Sequence, residues 1–322
     1  MILICLLSLS EFRCSNNNQS ANTAAGGDTS KEKKELPVTD VWVAPDSNLI
    51  SKEADADLIL YGKSLLAHTS EYFGPKGSIA HSTNGMNCQN CHMISGTKPF
   101  ANNYSAVYST YPKFRARSGT TESIVKRIND CFERSLNGKK LDSTSREMSA
   151  MIAYIKWLGK DVPKGVTPNG TGVIQLKYLD RPADPELGKV TFEQKCITCH
   201  GIDGQGKFSP DGKSYTYPPL WGPHSYNVSA GLYRISSLAG FIKGNMPYGS
   251  TYLEPQLTDE QAWDIAAYIS SQDRPEKKFQ EDWPDISKKP VDYPFGPYAD
   301  AFNEQQHKYG PFEPIQAFYK KK

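Results

Sequence analysis

The chain has 322 residues, enough for two domains of ordinary size with extensions. Hydrophobic residues make up 38% and charged residues 22%, the balance of an ordinary soluble globular protein. A net charge of +2 gives no reason to expect a nucleic-acid partner.

In chain order, residues 1–10, MILICLLSLS, are apolar but too short for a membrane-spanning helix, which needs ~20 apolar residues. With no basic residue before them, they read as the remains of a secretory signal over residues 1–14. Cys14 separates this run from a polar tether, 15–45, that has no means of forming a core. That placement resembles a lipid anchor, although Glu11, Phe12 and Arg13 depart from the small residues such a site takes. The competing expectation is that Cys14 leaves with the signal.

Residues 46–160 are expected to form a first domain. Leu58, Tyr61, Leu65 and Leu66 recur at helical spacing. Then comes Cys88-Gln89-Asn90-Cys91-His92. A C-x-x-C-H pentad reads as c-type haem attachment, because two thiols bond the porphyrin edge and the adjacent histidine reaches the iron. The segment 120–138, TTESIVKRINDCFERSLNG, reads as a helix stopped by Gly138. Thr144 and Glu147 form a capping box for a helix carrying Met148, Met151, Ile152, Ile155 and Leu158. Residues 161–184 read as a linker, rich in Pro and Gly over 161–172.

The pattern then repeats over 185–275. A short helix spans Leu187 to Phe192, a second pentad runs from Cys196 through Cys199 to His200, and a second capping box, Thr258 with Gln261, opens a helix carrying Trp263, Ile265, Ala266 and Ile269. Both closing helices contain an A-Y-I element, at Ala153–Ile155 and Ala267–Ile269. Four of the seven cysteines lie in the pentads, which makes a disulfide framework a poor reading. Zinc would want a matched pair of C-x-x-C knuckles closer together. Two covalent haem c groups are therefore expected. Their attachment takes place outside the cytoplasm, which makes the expected location periplasmic. Residues 276–322 lack periodicity but hold nine aromatic residues from Trp283 to Tyr319. Disordered tails are poor in aromatics, so an extended tail that wraps the domains is expected. The expected fold class is mainly α: two cytochrome c-like domains joined by a linker, with a long extended C-terminal tail.

Each pentad histidine leaves one iron position open. For the second haem, Met246 in GFIKGNMPYG is the expected ligand; a thioether stabilises ferrous iron and raises the potential. His224 and Lys243 are the fallbacks, and a core methionine is the bland alternative. The first half offers Met93, Met148, His68, His81 and Cys131. Around Cys131 the same helix face presents Arg127, Ile128, Arg134 and Ser135. Nearby arginine favours the thiolate, but free cysteine is also a common buried hydrophobe, so the residues alone leave this ligand open. From Lys76 to Lys140 there are ten cationic residues against Glu122, Asp130 and Glu133, an excess of seven. That exceeds the two propionates of one haem and suits a small oxyanion, whose oxygens arginine forks match. Lys126, Lys139 and Lys140 are expected on a solvated helix face or against propionates.

Several stretches carry a resemblance: GMNCQNCHMISGTKPFANNYSAVYSTYPKFRARSG (85–119), RINDCFERSLNG (127–138), EMSAMIAYIKWL (147–158), YPPLWGPHSYN (217–227), FIKGNMPYG (241–249) and the tail YPFGPYADAFNEQQHKYGPF. Together they resemble the dihaem thiosulfate dehydrogenases, also called tetrathionate synthases or reductases, over most of residues 50–315. The resemblance maps the family's haem-bound cysteine onto Cys131 and its electron-transfer haem ligand onto Met246, with Lys243 as a switch ligand in some members. It implies that two thiosulfates join into tetrathionate, with electrons passing from haem 1 to haem 2 and on to an external cytochrome or other redox partner. It allows the reverse reaction as well. On this reading Cys131 is nucleophile and ligand, and Arg115, Arg117, Lys98 and Arg127 are candidates for binding sulfonate. Two other readings compete: a non-enzymatic dihaem electron carrier, and a partner-dependent subunit like the A component of the sulfur-oxidation complex. A dihaem peroxidase would need acid–base residues that the sequence does not identify.

Overall fold

The structure is a computed structural model that describes residues 40–320. The signal-like segment, Cys14 and most of the tether lie outside the described residues. Among the described residues no helix is long and apolar enough to cross a membrane.

The first half opens with α1 (Ala56–Ala67) and α2 (Thr69–Phe73). After the pentad come two short turns, α3 (Met93–Gly96) and α4 (Val107–Thr110), and an antiparallel hairpin of β1 (Lys113–Arg115) with β2 (Thr120–Glu122). It closes with α5 (Ile124–Arg134) and α6 (Arg146–Leu158). The second half runs α7 (Pro185–Lys195), α8 (Ile197–His200), a hairpin of β3 (Lys207–Phe208) with β4 (Tyr215–Tyr217), α9 (Ile235–Asn245) and α10 (Asp259–Ser271). Two short helices follow in the tail, α11 (Glu304–Tyr309) and α12 (Glu313–Lys320).

The same helix crossing is built twice. At Gly62 of α1, a Cβ would lie 1.9 Å from the Ala150 carbonyl oxygen of α6 and 3.0 Å from the Tyr154 Cβ. At Gly188 of α7, a Cβ would lie 1.9 Å from the Asp264 carbonyl oxygen of α10 and 2.9 Å from the Tyr268 Cβ. Only glycine lets the backbones approach this closely. The tyrosine of each A-Y-I element stands over that glycine, which is the physical content of the repeat. Leu65, Leu66, Phe73, Phe132, Met148 and Met151 fill the first core. Phe192, Trp221, Ile235 and Trp263 fill the second, joined by Phe312 and Ile315 of the tail. Burying each such side chain contributes roughly 1.5–3 kcal/mol.

Caps place the helices. Asp184 accepts from the Glu186 and Leu187 amides, and Pro185 starts α7. Thr258 and Gln261 form the expected capping box on α10. On α6 the cap is one residue later than expected: the Ser145 hydroxyl accepts from the Met148 amide at 3.1 Å, while Thr144 donates to Asp142 at 2.8 Å. Glu147 is drawn off to accept from the Tyr61 hydroxyl at 2.9 Å.

Two other expectations change. The helix around Cys131 starts at Ile124, because β-branched Thr120 and Thr121 pair into the hairpin. Its run-off turns at Asn137, which takes the left-handed conformation (φ 45°), and not at Gly138. Gly138 is needed for close approach instead: a Cβ there would sit 2.3 Å from the Ser82 carbonyl oxygen. The tail is also not extended throughout. Asn303 caps α11 by accepting from the Gln306 amide at 2.8 Å, and α12 buries Ile315. Both helices are too short for their periodicity to show in the sequence.

Candidate functional site

A cavity of about 310 Å³ opens between α5, the first pentad and the segment Asn102–Tyr111. Its walls are largely apolar, with Leu66, Met86, Ile128, Phe132, Leu136 and Ile155 among them. The polar groups that reach it include Cys88, Cys91, His92, Arg115, Arg127 and Cys131. A flat apolar macrocycle with two thiol attachment points fits such a lining.

His92 is oriented from behind. Its Nδ1 hydrogen-bonds the Asn102 carbonyl oxygen, which fixes the tautomer and leaves Nε2 as a lone-pair donor. Tyr104 stacks on the ring with centroids 4.6 Å apart. Burial lowers the imidazole pKa to about 4, so the ring is neutral, the form that ligates iron. Asn102 itself has φ 53°, a conformation that asparagine tolerates. The linker holds it there: the Asn102 amide donates to the Gly172 carbonyl at 2.8 Å and the Phe100 amide to that of Gly170 at 2.7 Å.

The second pentad repeats the device. His200 is buried, and its Nδ1 bonds the Pro218 carbonyl oxygen at 3.0 Å. Met246 follows α9 and packs, half-buried, against the same core as Cys196. It also packs against the small cluster of Ala101, Val173 and Phe241, as does Met93, at the seam with the first half. Lys243 is occupied elsewhere: its Nζ lies 2.7 Å from an Asp259 oxygen and donates to the Leu257 carbonyl at 2.7 Å. His224 is exposed.

Burial pushes the Cys88 and Cys91 thiols up to about 12, and that of Cys196 to about 11. Buried neutral thiols suit thioether bonds better than metal thiolates. Among the described residues no three His, Cys, Asp or Glu side chains converge on a metal-sized point.

The five first-half ligand candidates separate cleanly. His68 and His81 are exposed. Met148 is sealed in the first core, and Met93 packs at the seam. Cys131 lines the cavity with His92. Beside it, the charge of Cys131 raises the Arg127 pKa against the cost of burial, with Tyr111, Asp130 and Glu122 adding to the effect.

The candidate anion-binding residues divide. Arg115 and Arg127 line the cavity. Arg117 does not; it donates to the Ser229 carbonyl at 3.2 Å and lies over Trp283. Lys98 points to the seam, where it donates to the Ser250 carbonyl at 3.4 Å. Lys126 pairs with Asp130 at 2.5 Å, Lys140 lies 3.8 Å from Glu133, and Lys139 is exposed, the solvated placement expected of them. Asn102, Tyr104 and Tyr111 were not singled out from the sequence. The Asn-Asn pair at 102–103, suited to a left-handed turn, was the one available signal.

Two family models match the chain. "SoxA/TsdA, cytochrome c domain" covers residues 78–163 and "Cytochrome c" covers residues 185–273. The fold is thus two cytochrome c domains, a type that carries covalently bound c-type haem. Among curated relatives, a thiosulfate dehydrogenase of Psychrobacter arcticus is 37% identical over 268 residues, 83% of this chain and 77% of that protein. One of Allochromatium vinosum is 37% identical, over 77% of this chain and 88% of its own. Among solved structures, thiosulfate dehydrogenase (TsdBA) from Marichromatium purpuratum superposes with a TM-score of 0.68 at 26% identity, covering 85% of this chain. This chain spans about half of that longer one, 54%. On this identity and coverage, the chain belongs to the thiosulfate dehydrogenase family.

Proposed function

We propose that this chain is a periplasmic dihaem enzyme that joins two thiosulfates into tetrathionate at Cys131. The observation that carries the reading is that Cys131, alone among the five first-half candidates, lines the same cavity as His92. Cys88 and Cys91 would hold one haem, with His92 and Cys131 as the candidate ligands of its iron. Cys196 and Cys199 would hold the other, with His200 and Met246. Bound haem supplies a sink for two electrons and a path for them out of the protein.

The residues of the chain supply the rest. Each thiosulfate is a dianion, and bringing two together costs Coulomb energy that Arg127 and Arg115 offset at the cavity wall. The outer sulfur of the first thiosulfate bonds to Cys131 Sγ, and two electrons leave. The outer sulfur of the second then attacks the bound sulfur. The bond to Sγ breaks, Cys131 returns as thiolate and tetrathionate departs, as in thiol–disulfide exchange. A thiolate ligand at the first site and a thioether ligand at the second would favour electron flow from first to second. The final acceptor is an external redox protein. Reversed, the same groups would reduce tetrathionate.

The test is turnover of free thiosulfate by the purified haem-loaded chain, with ferricyanide as acceptor and tetrathionate as the assayed product. Formation of tetrathionate supports the reading. Absence of both this activity and tetrathionate reduction, with both haems intact, would reduce the protein to an electron carrier or a partner-dependent subunit.

A further inference from the structure

The hairpin that carries Arg115 is a weak element on its own. It has three residues in each strand, β1 and β2, and neither strand has a further partner. An isolated two-stranded hairpin is marginally stable in water. Phe114, in the middle of β1, is 63% exposed, so the outer face gains little from packing. The turn closes on Arg115 itself, whose carbonyl accepts from the Gly119 amide at 2.9 Å and from the Ser118 hydroxyl at 3.3 Å. Whatever holds this turn holds Arg115 at the cavity wall.

The tail holds it. The Trp283 amide donates to the Arg117 carbonyl at 2.6 Å. Pro284 lies so close to Gly119 that a Cβ there would sit 2.6 Å from the proline Cγ. The Arg117 guanidinium lies over the Trp283 ring, 5.6 Å from its centroid. On the other side of Trp283, both carboxylate oxygens of Asp282 accept from Arg134 of α5, the helix that carries Arg127 and Cys131. Three consecutive tail residues thus touch both elements that bring arginine to the cavity.

Trp283 is the middle one, and its backbone is strained. Its φ of 63° lies in the left-handed region, which a bulky side chain rarely adopts. Such a conformation costs free energy and persists where the surroundings over-determine it. Here the ring is buried and packs edge-on against Tyr293, with centroids 5.3 Å apart. The buried ring fixes the kink, and the kink lets Asp282 and Pro284 face different elements.

We propose that Trp283 is a positioning residue that sets the separation of Arg115 and Arg127 across the cavity, and through it the recognition of a doubly charged sulfur oxyanion. This rests on the substrate-site reading above. Trp283 does not line the cavity and acts through the hairpin turn. With both arginines fixed in advance, an incoming sulfonate meets donors that need no ordering on binding.

The test is a double-mutant cycle on the full, haem-loaded chain: parent, Trp283→Ala, Arg115→Ala and the double variant. KM and kcat for thiosulfate are measured with ferricyanide as acceptor, and haem content and melting temperature on the same samples. Trp283→Ala is expected to raise KM roughly 10-fold, as for one lost charge-assisted hydrogen bond, while changing kcat little. The double variant is expected to show no higher KM than Arg115→Ala alone, because the two residues act through one group. Trp283→Phe, which keeps a buried ring, is expected to restore most of the parent's KM. Should Trp283→Ala fail to load haem, Gly119→Ala takes its place in the cycle: its methyl pushes Pro284 off the turn and should raise KM in the same way. A parent-like KM in the loaded variant, or effects that multiply in the double variant, would overturn the proposal and leave Trp283 with a structural role alone. A parent that does not turn over thiosulfate would instead sink the reading of the site on which the proposal rests, and the parent's own assay shows that outcome separately.

Discussion

Arg134, one turn beyond Cys131 on α5, forms a two-armed salt bridge with Asp282 of the tail, at 2.6 and 2.8 Å. Both side chains are buried, and the Phe279 ring covers the guanidinium at 3.9 Å. The helix that presents Cys131 and Arg127 to the cavity is thus fastened from outside by a segment almost 150 residues away in sequence. Trp283 adds a second fastening, its amide donating to the Arg117 carbonyl at 2.6 Å.

Breaking a buried pair from one side leaves the other charge uncompensated, at a cost of about 3–5 kcal/mol. Asp282→Ala is expected to lower the melting temperature strongly. The double variant with Arg134→Met is expected to recover part of the loss. Thermal unfolding of the three proteins checks this; equal losses in single and double variants would mean that the pair is not the fastening.

The duplicated helix crossing gives a prediction at two positions. An added methyl at Gly62 or Gly188 has nowhere to go, and overpacking of this kind typically costs 1–3 kcal/mol or more. Gly62→Ala and Gly188→Ala are each expected to destabilise the protein, whereas Gly165→Ala, with nothing within 4 Å, meets no such clash and only its positive φ opposes it. Denaturant titration compares the three. Tolerance at Gly62 and Gly188 would contradict the crossing geometry.

Arg127 is expected to act on substrate affinity. A charge-assisted hydrogen bond contributes about 1.5–3 kcal/mol, so Arg127→Ala should raise the KM for thiosulfate roughly 10- to 100-fold. Lys98→Ala, at the seam and outside the cavity, should change KM far less. Steady-state kinetics of the two variants separates the residues that line the cavity from those that do not.

The tail carries a pH dependence. Burial pushes the Asp300 pKa up, but hydrogen bonds from Tyr319, His307 and the Phe302 amide outweigh it and hold the carboxyl below its ordinary 3.8. A depressed carboxylate stabilises the fold above its unfolded pKa, and the contribution disappears as pH falls through the folded value. The parent should therefore lose stability below about pH 4 more steeply than Asp300→Asn. Melting temperatures taken from pH ~6 down to ~3 test this, and parallel curves would count against it.

Much of this was legible in local pattern. The pentads gave the paired histidines and thiols, and the A-Y-I repeat marked the two closing helices, but not the crossings that Gly62 and Gly188 make with them. Cys131 stood out by being the one body cysteine outside the pentads, although only the shared cavity separates it from Met93, Met148, His68 and His81. Local pattern could not show that Lys98 points at Ser250, that Arg117 faces the tail, or that Asn102 holds His92. Each depends on contacts between segments far apart in sequence. Helices α11 and α12 were hidden for a different reason: six and eight residues give too few turns for a periodic signal.

The most direct test of the account is the Cys131→Ala variant, purified with its full haem content and assayed for tetrathionate formation beside the parent. Loss of turnover, together with a changed axial-ligand spectrum at one haem and an unaltered one at the other, is the predicted result. Parent-level turnover in the variant would contradict the assignment of the chemistry to Cys131.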